Sequence, residues 1–122
     1  MALKLSRGLA EAGADVALIY TSSKDAHESA AKISKEMGVR VEAFQTDVDC
    51  REAISKTINE ITAQFGRGRL DVVVANAGVC ANIPNLEYTE ETWHQNNRVN
   101  FDGVMWTAQA AGKSFANKGK AT

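Results

Sequence analysis

The sequence predicts an α/β fold in which a parallel sheet is covered by helices on both faces. Three short apolar runs alternate with longer segments in which apolar residues recur every three or four positions. The runs are apolar at successive positions, as strands that are buried on both faces must be. Glycine follows the helix-type segments where a helix is expected to end. The 122 residues suffice for one domain, and the predicted order of elements is αβαβαβα.

The first half of the chain supplies two helices and two strands. Residues 2–12 are a predicted helix that stops before Gly13, and residues 15–20 are the first predicted strand. The turn "TSSKD" leads to a helix over residues 25–37 and a strand over residues 39–45. The apolar faces are expected to consist of Ala2, Leu5, Leu9 and Ala12 in the first helix and Ala26, Ala30, Ile33 and Met37 in the second.

The second half begins with a helix for which Asp49 is the expected N-cap and Glu52 its capping-box partner. Residues 70–75 are the third predicted strand, Thr89 is the expected cap of the next helix, and a last helix is predicted over residues 99–117. The residues expected to pack inward are Ile54, Ile58, Ile61 and Phe65 in the first of these helices and Val99, Val104, Ala108, Ala111 and Phe115 in the last, together with Trp93 and Trp106.

The composition is that of a globular protein and excludes several functional classes. Apolar residues make up 44% and charged residues 24%, and the net charge of -1 argues against a nucleic-acid partner. No apolar run is long enough to span a bilayer and no signal peptide opens the chain, so a cytoplasmic protein is expected. Cys50 and Cys80 are expected to be reduced thiols, and His27 and His94 have no metal-ligand spacing.

Ligands of such sheets bind at the carboxyl ends of the strands, so the residues that follow each predicted strand are candidates. Asn76, Ala77 and Gly78 follow the third strand, where small residues let a flat cofactor ring approach the backbone. The amide of Asn76 can also bridge to neighbouring backbone groups. An ordinary turn of the Asn-Gly type is the alternative for these three residues.

Asp47 and Val48 follow the second predicted strand. The carboxylate of Asp47 could accept a hydrogen bond from the amine of adenine while Val48 packs on the ring. The alternative is a turn aspartate, because "TDVD" is also a good entry to a helix.

Hydroxyl side chains follow the first predicted strand. Dinucleotide folds that prefer NAD place an acid at this position, where it binds the ribose 2′-hydroxyl. This chain has hydroxyls followed by Lys24, which suit a 2′-phosphate and favour NADP(H), although a polar turn without a ligand is the alternative. The four candidate residues are Tyr20, Thr21, Ser22 and Ser23.

Together these segments resemble the classical type of the short-chain dehydrogenase/reductase family. "DVVVANAG" is similar to that family's strand-end motif, "TDVD" to its adenine-contacting Asp-Val pair, and "RVNFDGV" to the motif that carries its catalytic asparagine, here Asn100. The resemblance covers essentially the whole chain. "GLAEAGADVALIY" and "GVMWTAQAAGK" resemble the branch that contains sorbose reductases, xylulose reductases and mannitol dehydrogenases, which prefer NADP(H).

The resemblance implies a partial Rossmann domain over residues 1–122, a doubly wound parallel sheet that lacks the first strand and the strands after the fourth. The family's glycine-rich turn, catalytic serine and Tyr-x-x-x-Lys pair are then expected outside this chain, which would be a fragment and inactive alone. Tyr20 and Lys24 match that pair in letters only, because the family's pair lies one turn apart on a helix whereas Tyr20 ends a strand.

For the complete enzyme, the resemblance implies that NADPH reduces a ketose or another carbonyl compound to an alcohol, with Asn100 holding a water of the proton relay. It also implies a homo-oligomer whose interface uses the helix from about residue 99, and no metal. The substrate pocket could be bordered by Cys80, Ala81, Asn82 and Ile83. Two alternatives remain: a shortened, non-catalytic member that binds nucleotide or serves as an interaction module, and a different doubly wound domain with a chance match.

Overall fold

The described part of the chain is an α/β unit in which two parallel strands lie between helices. The computed structural model describes residues 1–120, with side chains as far as residue 117. The helices and strands are α1 (Ala2–Glu11), β1 (Val16–Tyr20), α2 (Ala26–Met37), β2 (Val41–Gln45), α3 (Arg51–Glu60), α4 (Glu90–Asn97) and α5 (Gly103–Lys120). A π-helical turn, Ile61–Phe65, follows α3, a second, Arg98–Asp102, precedes α5, and a short 3-10 turn spans Asn85–Glu87.

The two strands pair in parallel, which confirms the prediction drawn from the alternation of helices and strands. Val16 is opposite Val41 and Tyr20 is opposite Gln45, so the carboxyl ends of both strands lie side by side. The amide of Thr46 extends the ladder by donating to the carbonyl of Tyr20 at 2.9 Å. This edge of the sheet is therefore the place where the loops after β1 and β2 meet.

Two apolar clusters cover the two faces of the sheet. α1 and α2 close one face around Ala10, Val16, Ala30, Ile33 and Val41. This is the first cluster. The second cluster lies on the other face, where Ile19 of β1 packs against Val48 and against residues of α3 and α5: Ile54, Ile58, Ala110 and Trp106. The predicted inward face of α3 is confirmed, since all four of its members are buried: Ile54, Ile58, Ile61 and Phe65. Burial of each such side chain stabilises the fold by about 1.5–3 kcal/mol.

The helix ends follow the local signals of the sequence. α2 ends at Gly38, whose φ of 69° is left-handed and therefore suits a residue without a side chain. α4 begins after Thr89, whose hydroxyl accepts a hydrogen bond from the amide of Thr92 at 3.2 Å, as predicted.

The third predicted strand is not present among the described residues. Residues 70–75 form no strand in the described sheet, Val72 is 61% exposed and Val74 is 51% exposed. A strand exists only when a neighbour accepts and donates its backbone hydrogen bonds, and the described partner of β1 is β2. The strand order that the family resemblance implies places a further strand between β1 and residues 70–75. β-Propensity alone could not supply that neighbour.

The prediction that Asp49 caps α3 is wrong. Cys50 occupies the N-cap position without a side-chain hydrogen bond, and α3 begins at Arg51. Asp49 instead pairs with Arg98, which lies far away in sequence, with 3.8 Å between Asp49 Oδ2 and Arg98 Nε. A capping motif is a local signal, and here the carboxylate of Asp49 is engaged in an ion pair with a distant residue instead of capping the helix.

The buried faces of α1 and α5 agree with the prediction only in part, because Leu9 and Ala111 pack inward as predicted but other expected residues do not. α1 buries Ser6 and Ala10 against α2 and β1, whereas Leu5 is 40% exposed. Because small residues let two helices approach closely, the buried stripe runs along them and the leucines lie at its margin.

α5 likewise buries small residues, Thr107, Ala110 and Ala111, against α3. Three residues expected to pack inward are exposed on it: Val104, Ala108 and Phe115. Trp106 packs against the second cluster as predicted, but Trp93, which is 60% exposed, does not pack inward.

Candidate functional site

The loop after β1 is fastened to the loop after β2 by side-chain hydrogen bonds. Thr21 Oγ1 donates to the carbonyl of Thr46 at 3.2 Å, and Gln45 Nε2 donates to the carbonyl of Thr21 at 3.0 Å. Ser22 and Ser23 lie exposed beyond this junction. The structure thus brings two of the three predicted ligand segments together at one edge of the sheet.

Tyr20 is turned toward the start of α2. Its hydroxyl lies 2.9 Å from His27 Nε2, and the two rings meet edge to face with centroids 5.5 Å apart. Tyr20 ends β1 whereas Lys24 lies in the following turn, so the two side chains are not arranged as a pair on one helix. The sequence pattern indicated no partner for His27, because a contact across a strand, a turn and a helix leaves no periodic signal.

The loop after β2 has one exposed and one buried candidate. Asp47 is exposed, so its carboxylate is accessible to a ligand. Val48 is only 7% exposed, and its side chain belongs to the second apolar cluster. A ligand at this loop would therefore meet the carboxylate of Asp47, whereas Val48 offers it little exposed surface.

Asn100 lies in the π-helical turn Arg98–Asp102 and is bound to the backbone just beyond the third ligand segment. Its Oδ1 accepts from the amide of Val79 at 2.7 Å, and its Nδ2 donates to the carbonyl of Val79 at 2.7 Å. The two bonds join the predicted catalytic residue to the residues that follow Gly78. Turns of this kind occur mostly as single-turn bulges, frequently at functional sites.

Gly78 is explained by a close approach to Asn100. A Cβ atom on residue 78 would lie 3.3 Å from Asn100 Oδ1, which is tighter than ordinary contact. The φ of Gly78 is not positive, so the requirement is for space and not for a left-handed backbone. Beside it, Ala77 is exposed and Asn76 is half-buried.

Gly103 is a site residue that sequence reasoning missed. A Cβ atom on it would lie 3.1 Å from Val48 Cγ2 and 3.3 Å from the carbonyl oxygen of Val48. The available signal in the sequence was a glycine inside the predicted helix 99–117, a position where glycine is unfavourable and often indicates a close contact. The turn of Asn100 and the loop after β2 are therefore in direct contact.

The residues expected to border the substrate pocket follow Val79. Cys80, Asn82 and Ile83 are exposed and Ala81 is half-buried, so these residues are accessible next to Val79. The side chains described by the structure include no cluster of three or more residues able to hold a metal ion. Over the same part of the chain, no helix is both long and apolar enough to cross a membrane.

Comparison with known sequences gives a match over the whole chain. The family described as short chain dehydrogenase matches residues 1–122. The chain is 37% identical over 119 residues to a sorbose reductase from Schizosaccharomyces pombe, an alignment covering 95% of this chain and 46% of that protein. It is 45% identical over 107 residues to an L-xylulose reductase from Hypocrea jecorina, covering 87% of this chain and 37% of that protein.

Comparison with solved structures gives the same picture. The fold resembles the NADPH-dependent 3-quinuclidinone reductase from Rhodotorula rubra, with a TM-score of 0.81 and 33% identity, over 97% of this chain and 45% of that one. The chain therefore spans less than half the length of each of these proteins.

Proposed function

This chain belongs to the short-chain dehydrogenase family, and from that premise we propose an NADP(H)-dependent oxidoreductase that reduces a ketose or related carbonyl compound to an alcohol. The observation that carries the proposal is the pair of hydrogen bonds by which Asn100 holds Val79. These bonds fix the asparagine of the "RVNFDGV" motif beside the segment that would face the cofactor ring.

The residues after β1 fit the 2′-phosphate of NADP(H). Ser22 and Ser23 expose hydroxyl groups, Lys24 adds an exposed cation, and no carboxylate stands between Tyr20 and Lys24 to repel a phosphate. Hydrogen bonds from such donors to a phosphate are charge-assisted and strong. The solved relative named above is NADPH-dependent by its name, which supports the same preference.

The adenine and the nicotinamide would meet the other two strand ends. Asp47 offers an exposed carboxylate for the adenine amine, next to the buried Val48. Asn76, Ala77 and Gly78 present small or half-buried side chains, so a flat ring can lie against their backbone. NADPH would supply the hydride for the carbonyl carbon of the substrate.

Asn100 would serve the proton side of the reaction. Its amide uses one N–H and one lone pair on Val79, which leaves a second N–H and a second lone pair for a water molecule. Since both existing bonds run to one backbone unit, the amide plane is fixed and a bound water would have a defined position. We propose that this water belongs to the relay that delivers the proton to the substrate oxygen.

The names of the relatives support a substrate class, and exposed apolar side chains near the start of α5 support a subunit interface. A sorbose reductase and a xylulose reductase act, by their names, on ketoses, so we propose a small ketose or polyol as the substrate here. Phe101, in the π-helical turn that precedes α5, is 75% exposed, and Met105 in the first turns of α5 is 55% exposed. Exposed apolar side chains of this size support the proposal that this helix joins two subunits.

The test is a kinetic one on the protein at its native length. Oxidation of NADPH and of NADH is followed with sorbose, xylulose and fructose, and binding of both cofactors is measured by fluorescence. We expect turnover of a ketose with NADPH and a clear preference over NADH. Saturable NADPH binding without turnover of any carbonyl compound would favour a non-catalytic nucleotide-binding protein. Absence of binding would contradict the proposal altogether.

A further inference from the structure

The loop after β2 and the turn that carries Asn100 touch at two independent points. The first is the contact of Gly103 with Val48, where the glycine lets the start of α5 approach the loop backbone. The second is the ion pair between Asp49 and Arg98. Arg98 is the first residue of the π-helical turn, and Asn100 lies within the same turn.

The ion pair is partly sheltered. The side chain of Asp49 is 28% exposed and that of Arg98 is 58% exposed. The other ion pairs between elements of the described chain lie elsewhere, for example Arg7 with Glu36, which joins α1 to α2. Arg98 is therefore placed to act on Asn100 in a way that the other paired arginines are not.

The π-helical turn lies between α4, which ends at Asn97, and α5, which begins at Gly103, without a break in the helical backbone. Its hydrogen bonds close wider rings than those of an α-helix, and such turns occur mostly as single bulges within helices. Here the start of the turn is tied to Asp49, and the residue after it rests against Val48. The loop after β2 is therefore in contact with the helical backbone on both sides of Asn100.

We propose that Arg98 and Asp49 are positioning residues for Asn100. Their ion pair anchors the π-helical turn on the loop after β2 and so sets the two hydrogen bonds between Asn100 and Val79. The effect on turnover rests on the proposed function, but the effect on the Asn100–Val79 contact does not.

The direct test is hydrogen exchange at the amide of Val79, which donates to Asn100 Oδ1. The protein is studied at its native length as wild type, R98M and D49N, with R7M as the matched control that breaks the distant ion pair to Glu36. An exposed or partly exposed pair has a modest effect, so we expect exchange at Val79 to be roughly two- to fivefold faster in R98M and D49N. R7M should leave it unchanged.

The amide of Val16 separates local loosening from general destabilisation. It donates to the carbonyl of Arg40 at 2.9 Å and belongs to the first cluster, which does not include the loop after β2, so it reports opening of the fold away from the ion pair. Faster exchange at Val79 with unchanged exchange at Val16 supports the proposal. Equal acceleration at both amides, or none at Val79, overturns it. R98K, which keeps the charge, should restore most of the protection.

Kinetics then test the consequence for catalysis. In R98M we expect kcat to fall while KM for NADPH stays within about twofold, because the loop residues that would bind cofactor are unchanged. A raised KM with unchanged kcat would overturn this part of the proposal. If the wild-type protein turns over no carbonyl compound, the proposed function fails, and the exchange at Val79 still decides whether Arg98 positions Asn100.

Discussion

At the scale of single residues, the site depends on which atoms of a polar side chain are already engaged. The amide of Asn100 accepts from the N–H of Val79 and donates to its carbonyl. An amide can do both at once in one plane, whereas a carboxylate accepts and cannot donate. The two hydrogen bonds to Val79 therefore require an amide at position 100, whatever part that residue has in the reaction.

Substitution of Asn100 by Asp tests that requirement. N100D keeps the acceptor for the N–H of Val79 but sets a second oxygen against the Val79 carbonyl. We expect a loss of about 1 kcal/mol in the free energy of unfolding and a fall in turnover of up to about 100-fold, since misplacement of a site by about 1 Å has effects of that size. Urea denaturation and steady-state kinetics measure both. N59D, an exposed change on α3, is the control, and equal behaviour of the two variants would contradict the assignment.

Substitution of Ser22 by Asp tests the cofactor assignment. A carboxylate at this position would repel a 2′-phosphate and could accept from a ribose 2′-hydroxyl. We expect KM for NADPH to rise by about tenfold or more, which corresponds to about 1.4 kcal/mol, with no rise for NADH. A31D adds the same charge on an exposed position of α2 and should change neither constant. Loss of affinity for both cofactors in S22D would point instead to general disruption of the loop.

At the scale of elements, the connection between the loop after β2 and α5 decides how the site is held. The α3 and α5 helices pack on one another, and the start of α5 rests directly on Val48. Because α5 packs in the second apolar cluster, the position of that cluster also determines where the turn that carries Asn100 lies. Two glycines of α5 allow this contact to be tested against helix propensity.

Gly103 and Gly112 should respond to alanine in opposite ways. In G103A the new Cβ atom would meet Val48 at 3.1 Å, so we expect a destabilisation of about 1–3 kcal/mol from overpacking. A Cβ atom on residue 112 would meet no described neighbour outside its own helix within 4 Å, so G112A should stabilise the helix by up to about 1 kcal/mol. The midpoint of urea unfolding measures both variants. Stabilisation by G103A would contradict the prediction, because it would show that Val48 moves aside without a loss of free energy of unfolding.

At the scale of the whole molecule, the described structure exposes apolar side chains on the segment that follows α3. Val72 and Val74 are exposed while Val73 is half-buried, the alternation expected of an extended segment with one covered face. Together with the apolar start of α5, they give the surface several exposed valine, methionine and phenylalanine side chains. Exposed apolar segments of this kind promote association between chains.

The isolated 122-residue chain should therefore associate through the exposed side chains of Val72 and Val74. We expect it to bind an apolar dye and to form larger species with rising concentration, and the double variant V72T/V74T to reduce both effects. Light scattering and dye fluorescence measure the change. V104T, which alters an exposed valine on α5, is the control and should have a smaller effect. A monodisperse wild-type chain without dye binding would contradict the prediction.

The elements whose signals are local could be predicted from the amino-acid sequence. Apolar spacing placed α2 and the buried face of α3, glycine ended α2, and Thr89 capped α4. The parallel pairing of β1 and β2 was also predictable, since strands joined through a helix run in one direction. The resemblance carried by three short motifs agrees with the family that matches the whole chain.

The contacts between segments that are distant in sequence emerged only in three dimensions. In the folded structure Asp49 does not cap α3 but forms an ion pair with Arg98. The side chain of Val48 is buried, and Asn100 is hydrogen-bonded to Val79. Residues 70–75 are also not part of the described sheet, although their β-propensity predicts a strand. The physical reason is the same in each case. Spacing and propensity describe what a segment can form with itself, whereas a strand, an ion pair or a close glycine contact exists only when a second segment is present at the right place.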